Sequence, residues 1–370
     1  MRTLLSFAGG SGHLDPLLPV ARALAAAGHE VAVRGSAEHV FRARENGLEP
    51  LVEPVDPQPD QPIQPLVPLD LDNEFAVIAE HFAGSAALRA AEATTRAIRE
   101  WRPELVVCDE LDFGAMTAAE AAGVPCAVVL VIASGGLVRP GDVAEPLRRL
   151  RARFDLSARR GVPPADLVLS PFPPSFRSPA LPLPPGATSF ARPVPPRRPR
   201  GPRPLVYFTL GTVFNRESGD LFERVLDGLE ALDVDVVTTT GREVDPALLA
   251  PRAPRIRIER FVDHDEILPR ADVVVCHGGS GTVIGALASG VPVLVLPMGA
   301  DQSLNAERVA ALDAGAALDA LHARPNRIAD VVAGLLADPP RGAATIANEY
   351  DGLPPVGAVV PALVELAGRS

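Results

Sequence analysis

Two histidines in this sequence sit beside glycine-rich turns, where an imidazole can meet a ligand that the backbone approaches closely. His277 opens His277-Gly278-Gly279-Ser280-Gly281-Thr282, a turn that reads as the start of a helix. Unpaired N–H groups and the helix dipole attract a diphosphate at such a start, and glycine lets it come near. His277 and the Ser280 and Thr282 hydroxyls add donors for the charge on a departing nucleoside diphosphate, without a metal. His13 follows Gly9-Gly10-Ser11-Gly12, and an imidazole there can abstract a proton near neutral pH. Asp109, Glu110 and Asp112 each offer a carboxylate to orient that ring, or a cap for the helix that follows. Asp109 is preferred because it follows its strand directly. Asp301-Gln302 can present two oxygens and an amide to sugar hydroxyls. The plain alternatives are a tight turn at 277–282, a helix cap at His13 and a solvated loop at 301–302.

The elements that must position these residues are strands and helices in alternation. Thr3 to Phe7 reads as a short apolar strand, Pro16 to Ala27 as a helix stopped by Gly28, and Glu30 to Val33 as the next strand, the opening βαβ unit of a doubly wound sheet. Prolines between Pro54 and Pro68 predict a loop, and Asn73 to Arg99 predicts a long helix. Val106-Val107-Cys108-Asp109 through Gly123-Val124-Pro125 recurs as Val274-Val275-Cys276-His277 through Gly290-Val291-Pro292, so the two halves read as one α/β plan used twice, chance similarity of two βαβ units being the alternative. A proline-rich stretch, Pro179 to Pro204, marks a linker, after which Leu205 to Leu210 opens a second unit whose turn is Gly211-Thr212. Ligands in such sheets lie beyond the carboxyl ends of strands. His13, Asp109, Thr212 and His277 all fall at those ends.

Composition narrows the chemistry. Every basic side chain apart from histidine is arginine, which excludes Schiff-base and P-loop-lysine mechanisms. A net charge of −11 argues against nucleic acid as partner. Three cysteines without ligand spacing suit buried thiols and a cytoplasmic setting. No uncharged run reaches the length of a membrane span, and the first residues do not read as a secretory signal. The acidic triplets at 70–72, 233–235 and 263–265 read as surface or capping features, and no metal site is expected.

The run from Phe261 to Val309, with Phe261-Val262, Leu268-Pro269-Arg270-Ala271-Asp272, His277 to Thr282, Gly290-Val291-Pro292, Pro297, Asp301-Gln302 and Asn305-Ala306, resembles the donor signature of bacterial GT-B glycosyltransferases. These decorate natural products such as macrolides, aromatic polyketides and glycopeptides. Gly12-His13-Leu14-Asp15-Pro16 and Gly28-His29-Glu30-Val31 are similar to the family's amino-terminal signature, and the likeness extends over nearly the whole chain.

The resemblance implies an α/β GT-B fold of two facing Rossmann-like domains with a cleft between them. Residues 1–195 would bind the acceptor, 196–355 the donor, and 356–370 would form a helix packing back on the first domain. It implies inverting transfer from a TDP- or UDP-sugar to a small hydrophobic acceptor such as a polyketide, without cofactor or metal, and is compatible with a homodimer. His13 would be the general base and Asp109 its partner. His277, Gly279, Ser280, Gly281 and Thr282 would hold the diphosphate, and Asp301 and Gln302 the sugar. Phe261 and Val262 would line the nucleobase pocket, and Thr212 would border the phosphates. Two departures stand out: Gly285 replaces the ribose-binding glutamate of plant relatives, with Phe261 in place of their base-stacking aromatic, and the region from Pro54 to Trp101 that builds the acceptor pocket is short. Rival readings are a nucleotide-sugar 2-epimerase and a non-catalytic nucleotide-sugar-binding partner, against which the retention of His13 and Asp109 speaks. A dinucleotide dehydrogenase ranks last, because Gly9 to Gly12 lacks the required glycine spacing.

Overall fold

The computed structural model describes residues 1–40, 42–52, 64–157, 161–199, 201–212, 215–242 and 244–369. Two all-parallel sheets account for the strands among them. The first comprises β1 (Arg2–Ser6), β2 (Glu30–Gly35), β3 (Glu49–Val52), β4 (Leu105–Asp109), β5 (Cys126–Val129), β6 (Leu167–Ser170) and β7 (Thr188–Ser189), in the order β3-β2-β1-β4-β5-β6-β7. The second comprises β8 (Leu205–Thr209), β9 (Asp235–Thr239), β10 (Ile256–Glu259), β11 (Val273–Cys276), β12 (Val293–Val295) and β13 (Gly315–Ala317), in the order β10-β9-β8-β11-β12-β13. Both orders reverse direction beside their first strand. That reversal opens a crevice between β1 and β4 in one sheet and between β8 and β11 in the other.

The strands read as unbroken apolar runs because helices cover both faces of each sheet. Leu4, Leu5, Val106, Val107, Val273, Val274 and Val275 are fully buried. The repeated unit seen in the sequence is the β4–β5 pair with its helix Phe113–Ala122, and the β11–β12 pair with its helix Ser280–Ala288. Each is followed by a glycine in the left-handed region, Gly123 at φ 66° and Gly290 at φ 68°, where a Cβ would be strained.

Three boundaries differ from the sequence reading. The helix expected over Pro16–Ala27 is trimmed to Leu18–Ala26, and a separate short piece, Ser11–Leu14, precedes it. Pro16 has no N–H to continue the first piece, whereas Pro19 falls in the opening turn of the second, where none is needed. β2 runs on to Gly35. The long helix expected over Asn73–Arg99 starts at Leu71, where Asp70 accepts from the backbone N–H groups of Asp72 and Asn73, so the first acidic triplet is a cap. It then widens into a π-helical segment, Ile78–Ser85, before resuming as Ala86–Trp101. Most of the expected 54–68 loop lies outside the described residues.

The C-terminal helix Val360–Ala367 returns to the first sheet. Val359, Leu363 and Leu366 are buried in that sheet's core, each contributing about 1.5–3 kcal/mol by leaving water. The two sheets also share apolar contact, since Leu130, Ala133, Phe172 and Phe176 pack into a cluster built mainly from the second sheet. No described helix is long and apolar enough to cross a membrane.

Candidate active site between the two sheets

At the crevice of the first sheet, the imidazole of His13 meets the carboxylate of Asp109, Nδ1 to Oδ1 at 3.1 Å. Asp109 ends β4 and is fully buried. Its orientation is fixed by the backbone, because Oδ2 accepts from the Ala8 N–H at 2.6 Å and Oδ1 from the Leu111 N–H at 2.8 Å. Gly9, at φ 111°, passes so close that a Cβ there would lie 2.8 Å from the His13 ring, and Phe82 stacks on the ring with centroids 5.5 Å apart. Burial favours the neutral imidazole. The Asp109 charge and hydrogen bond outweigh it, with smaller help from Asp301 and Glu110, and hold the His13 pKa above its ordinary value.

The other two carboxylates of the 109–112 run have separate duties. Asp112 caps the helix Phe113–Ala122 and accepts from Ser6 Oγ and from Arg34 Nη2 at 2.8 Å, a buried ion pair. Glu110 accepts from the backbone N–H groups of Val131 and Ile132. Burial pushes its carboxyl pKa up to about 7. Asp109 is therefore the carboxylate that faces His13.

At the crevice of the second sheet, His277 follows β11 and its ring is held between two glycines. A Cβ on Gly211, at φ 76°, would lie 2.5 Å from the ring, and a Cβ on Gly279 also 2.5 Å. The ring is hydrogen-bonded to the Thr209 backbone. Burial, with His264 nearby, lowers its pKa to about 4, so His277 is a neutral hydrogen-bonding ring and not a cation. The helix Ser280–Ala288 starts directly after Gly279 with no side-chain cap on its N–H groups. Ser280 and Thr282 are buried and Gly281 is exposed.

The remaining donor-side candidates are arranged as follows. Asp301 Oδ2 accepts from Ser280 Oγ at 2.6 Å and from Asn305 Nδ2 at 2.8 Å, and burial raises its pKa against those hydrogen bonds and the attraction of His13. Gln302 is 1% exposed, and its side-chain oxygen accepts from the N–H groups of Met298 and Gly299. That oxygen holds the loop after β12. Phe261 lies apart at 74% exposure, while Val262 packs against the second sheet's core. Thr212 reaches across the cleft, its Oγ1 2.6 Å from Ser11 Oγ. Two more ties join the lobes: the Ala133 N–H donates to Ser280 Oγ at 2.8 Å and the Ser134 N–H to Asn305 Oδ1 at 3.3 Å. Among the described residues no group of three His, Cys, Asp or Glu side chains is placed to share a metal ion.

Residues 223–366 match the family model described as "Erythromycin biosynthesis protein CIII-like, C-terminal domain". The L-demethylnoviosyl transferase of Streptomyces niveus is 33% identical over 330 residues, covering 86% of this chain and 85% of that protein. The chain belongs to the antibiotic-biosynthesis glycosyltransferases. The glycosyltransferase SnogD from Streptomyces nogalater superposes with a TM-score of 0.75 at 27% identity, over 100% of this chain and 99% of that one. The glycosyltransferase VinC in complex with DTDP gives 0.74 at 25% identity, over 100% of both chains. The two facing sheets are thus a GT-B fold.

Within this glycosyltransferase, several residues of the cleft carried no role in the sequence reading. Asn305 is fully buried and joins Gly278 O, Ser280 Oγ, Asp301 Oδ2 and the Ser134 N–H, and its spacing of four from Asp301 on one helix was the available signal. Ser11 and the 133–134 backbone act across the cleft, which no local pattern reveals. Phe82, in the π-helical segment, stacks on His13 from some seventy residues away in sequence. His264, half-buried and with its pKa lowered to about 4 chiefly by desolvation, lies beside Gly285, where a Cβ would also meet Leu268 and Arg192.

Proposed function

We propose that this glycosyltransferase moves a sugar from a thymidine or uridine diphosphate donor to a hydroxyl of a small apolar natural product, with inversion at the anomeric carbon. The observation that carries the proposal is the His13–Asp109 pair. With Nδ1 held by a backbone-anchored carboxylate, Nε2 is left to accept a proton, and the pair lies in the same cleft as the uncapped helix start at Ser280. In the proposed step the acceptor hydroxyl gives its proton to Nε2 and its oxygen forms the bond to the anomeric carbon. The bond from that carbon to the diphosphate oxygen breaks, and its electron pair leaves with the diphosphate. The charge that develops is met by the helix N–H groups and by the Thr282 hydroxyl, without a metal, while Ser280, donating to Asp301, holds the start of that helix in place.

In this reading residues 1–195 carry the acceptor, 196–355 the donor, and 356–370 tie back to the acceptor side. Of the two donors, the thymidine diphosphate draws support from the relative VinC, solved with DTDP. Phe261 offers an exposed ring for a base, and Val262, Thr212, Asp301 and Gln302 border the donor. The test is product stereochemistry by NMR from a TDP-sugar of known configuration, beside turnover and TDP affinity of His13→Ala. Retained configuration, or near-normal turnover in the variant, refutes the mechanism. An epimer formed from donor alone would favour the 2-epimerase reading.

A further inference from the structure

A cavity of about 180 Å³ lies next to His13, lined by Phe7, Gly9, Gly35, His81, Phe82 and Arg89 among others. It shares Gly9 and Phe82 with the base itself, since both touch the His13 ring. A hydrophobic cavity of about 150 Å³ is enough for one benzene ring, so this one takes a single ring with a substituent. Its walls suit a flat ring: aromatic side chains stand on two sides, and Gly35 lies against Phe7 where a Cβ would collide at 2.1 Å.

The wall from residues 81 to 90 spans the end of the π-helical segment and the start of the α-helix after it. There the Ala86 N–H reaches back to His81 O, a spacing of five, in place of the usual four. Such bulges recur at functional sites. Phe82, Ala86, Arg89 and Ala90 all line the cavity.

Two guanidinium groups line the cavity, and they differ. Arg34 is buried and neutralised by Asp112. Arg89 is exposed and forms no ion pair with any described residue. In a chain of net charge −11, a cation left uncompensated at the mouth of an aromatic cavity selects an anion on the guest.

We propose that this cavity is the acceptor subsite for an aromatic ring bearing an acidic group, a carboxylate or an ionised phenol, and that Arg89 is the residue that selects the acid. The proposal rests on the glycosyl-transfer reading above and adds to it the chemical class of the acceptor.

The test measures binding rather than turnover. Ligand-detected NMR titrations compare salicylate, one ring with a hydroxyl and a carboxylate, with its methyl ester on the wild type, Arg89→Gln and Ala86→Phe, with TDP binding followed in parallel. The acid should bind the wild type about five- to tenfold more tightly than the ester, the range of a partly exposed charge-assisted hydrogen bond. Arg89→Gln should erase that difference and leave the ester unchanged, and Ala86→Phe, which fills the cavity, should weaken both. TDP should bind all three proteins alike, which shows that the variants are folded. Equal binding of acid and ester to the wild type, a difference that survives Arg89→Gln, or unchanged binding to Ala86→Phe overturns the proposal. Failure of the wild type to bind TDP would count against the donor reading instead, and would leave the acid–ester comparison to be judged by itself.

Discussion

Replacing Asp109 with asparagine removes one charge from the cleft and changes almost nothing in volume, so its effect can be worked out atom by atom. The carboxylate accepts three hydrogen bonds, from His13 Nδ1 and the Leu111 N–H on Oδ1 and from the Ala8 N–H on Oδ2. An amide has one oxygen. With that oxygen at the Oδ1 position, His13 and Leu111 stay satisfied and only the Ala8 N–H faces an NH₂ group. With the amide flipped, two donors are opposed and His13 is pushed to the other tautomer. The first arrangement wins by one hydrogen bond, so the ring keeps its tautomer and loses chiefly the charge that steadies the imidazolium. Two unit charges 3.1 Å apart attract by roughly 5 kcal/mol at an effective dielectric of about 20, and desolvation of the buried carboxylate offsets much of that.

A hydrogen bond to a charged partner is worth a net of about 1.5–3 kcal/mol, which predicts a fall in kcat of about 10- to 150-fold with donor KM nearly unchanged. The pH dependence supplies an independent check. Asp109 holds the His13 pKa above its ordinary value, and the proposed general base acts as the unprotonated ring, so the acidic limb of the kcat–pH profile should move to lower pH in the variant. Stability linked to His13 has the opposite sense: it is fully present below the unfolded pKa and is lost as pH rises through the folded one, so the variant should lose stability mainly on the acidic side. Turnover within about twofold of wild type, or an acidic limb that does not move, would refute the reasoning.

Asn305→Ala should lower unfolding free energy by about 2–3 kcal/mol in urea titration, because it strips partners from Gly278, Ser280, Asp301 and the Ser134 N–H in a buried place; a loss below about 0.5 kcal/mol would show that these bonds are dispensable. Gly211→Ala places a Cβ 2.5 Å from the His277 ring at φ 76°, and calorimetry should show TDP affinity reduced by about tenfold or more along with lower stability. Glu110, with its pKa raised to about 7 by burial, binds its proton more tightly folded than unfolded, so it costs stability progressively as pH rises from about 4.5 to 7. Glu110→Gln should remove that cost, and the stability of the variant relative to wild type should grow by roughly 3 kcal/mol between pH 4 and pH 8.

Much of this site was legible because strand ends in a doubly wound sheet are forced to specific places. Apolar runs at 3–7, 106–109, 205–210 and 274–276 identify strands, and whatever follows the first and fourth of a sheet arrives at its crevice. His13, Asp109, Thr212 and His277 were therefore found by position. Local patterns could not show which side-chain atoms face the ligand. Asp301-Gln302 reads as one polar pair, yet the two residues diverge, Asp301 joining Ser280 and Gln302 turning into the loop after β12. Phe82 carried no signal because it meets His13 from a helix far away in sequence, a contact that no local pattern reveals.

The return of the chain's last helix to the first sheet decides how hybrids of this enzyme can be made. Exchanging the half built on the second sheet by one cut near residue 195 would carry away Val359, Leu363 and Leu366, emptying their socket beneath β4 and leaving a foreign tail to fill it. A viable chimera needs two junctions, one in the proline-rich crossover and one just before Val356, so that the parent's own tail stays with the half it was shaped to plug.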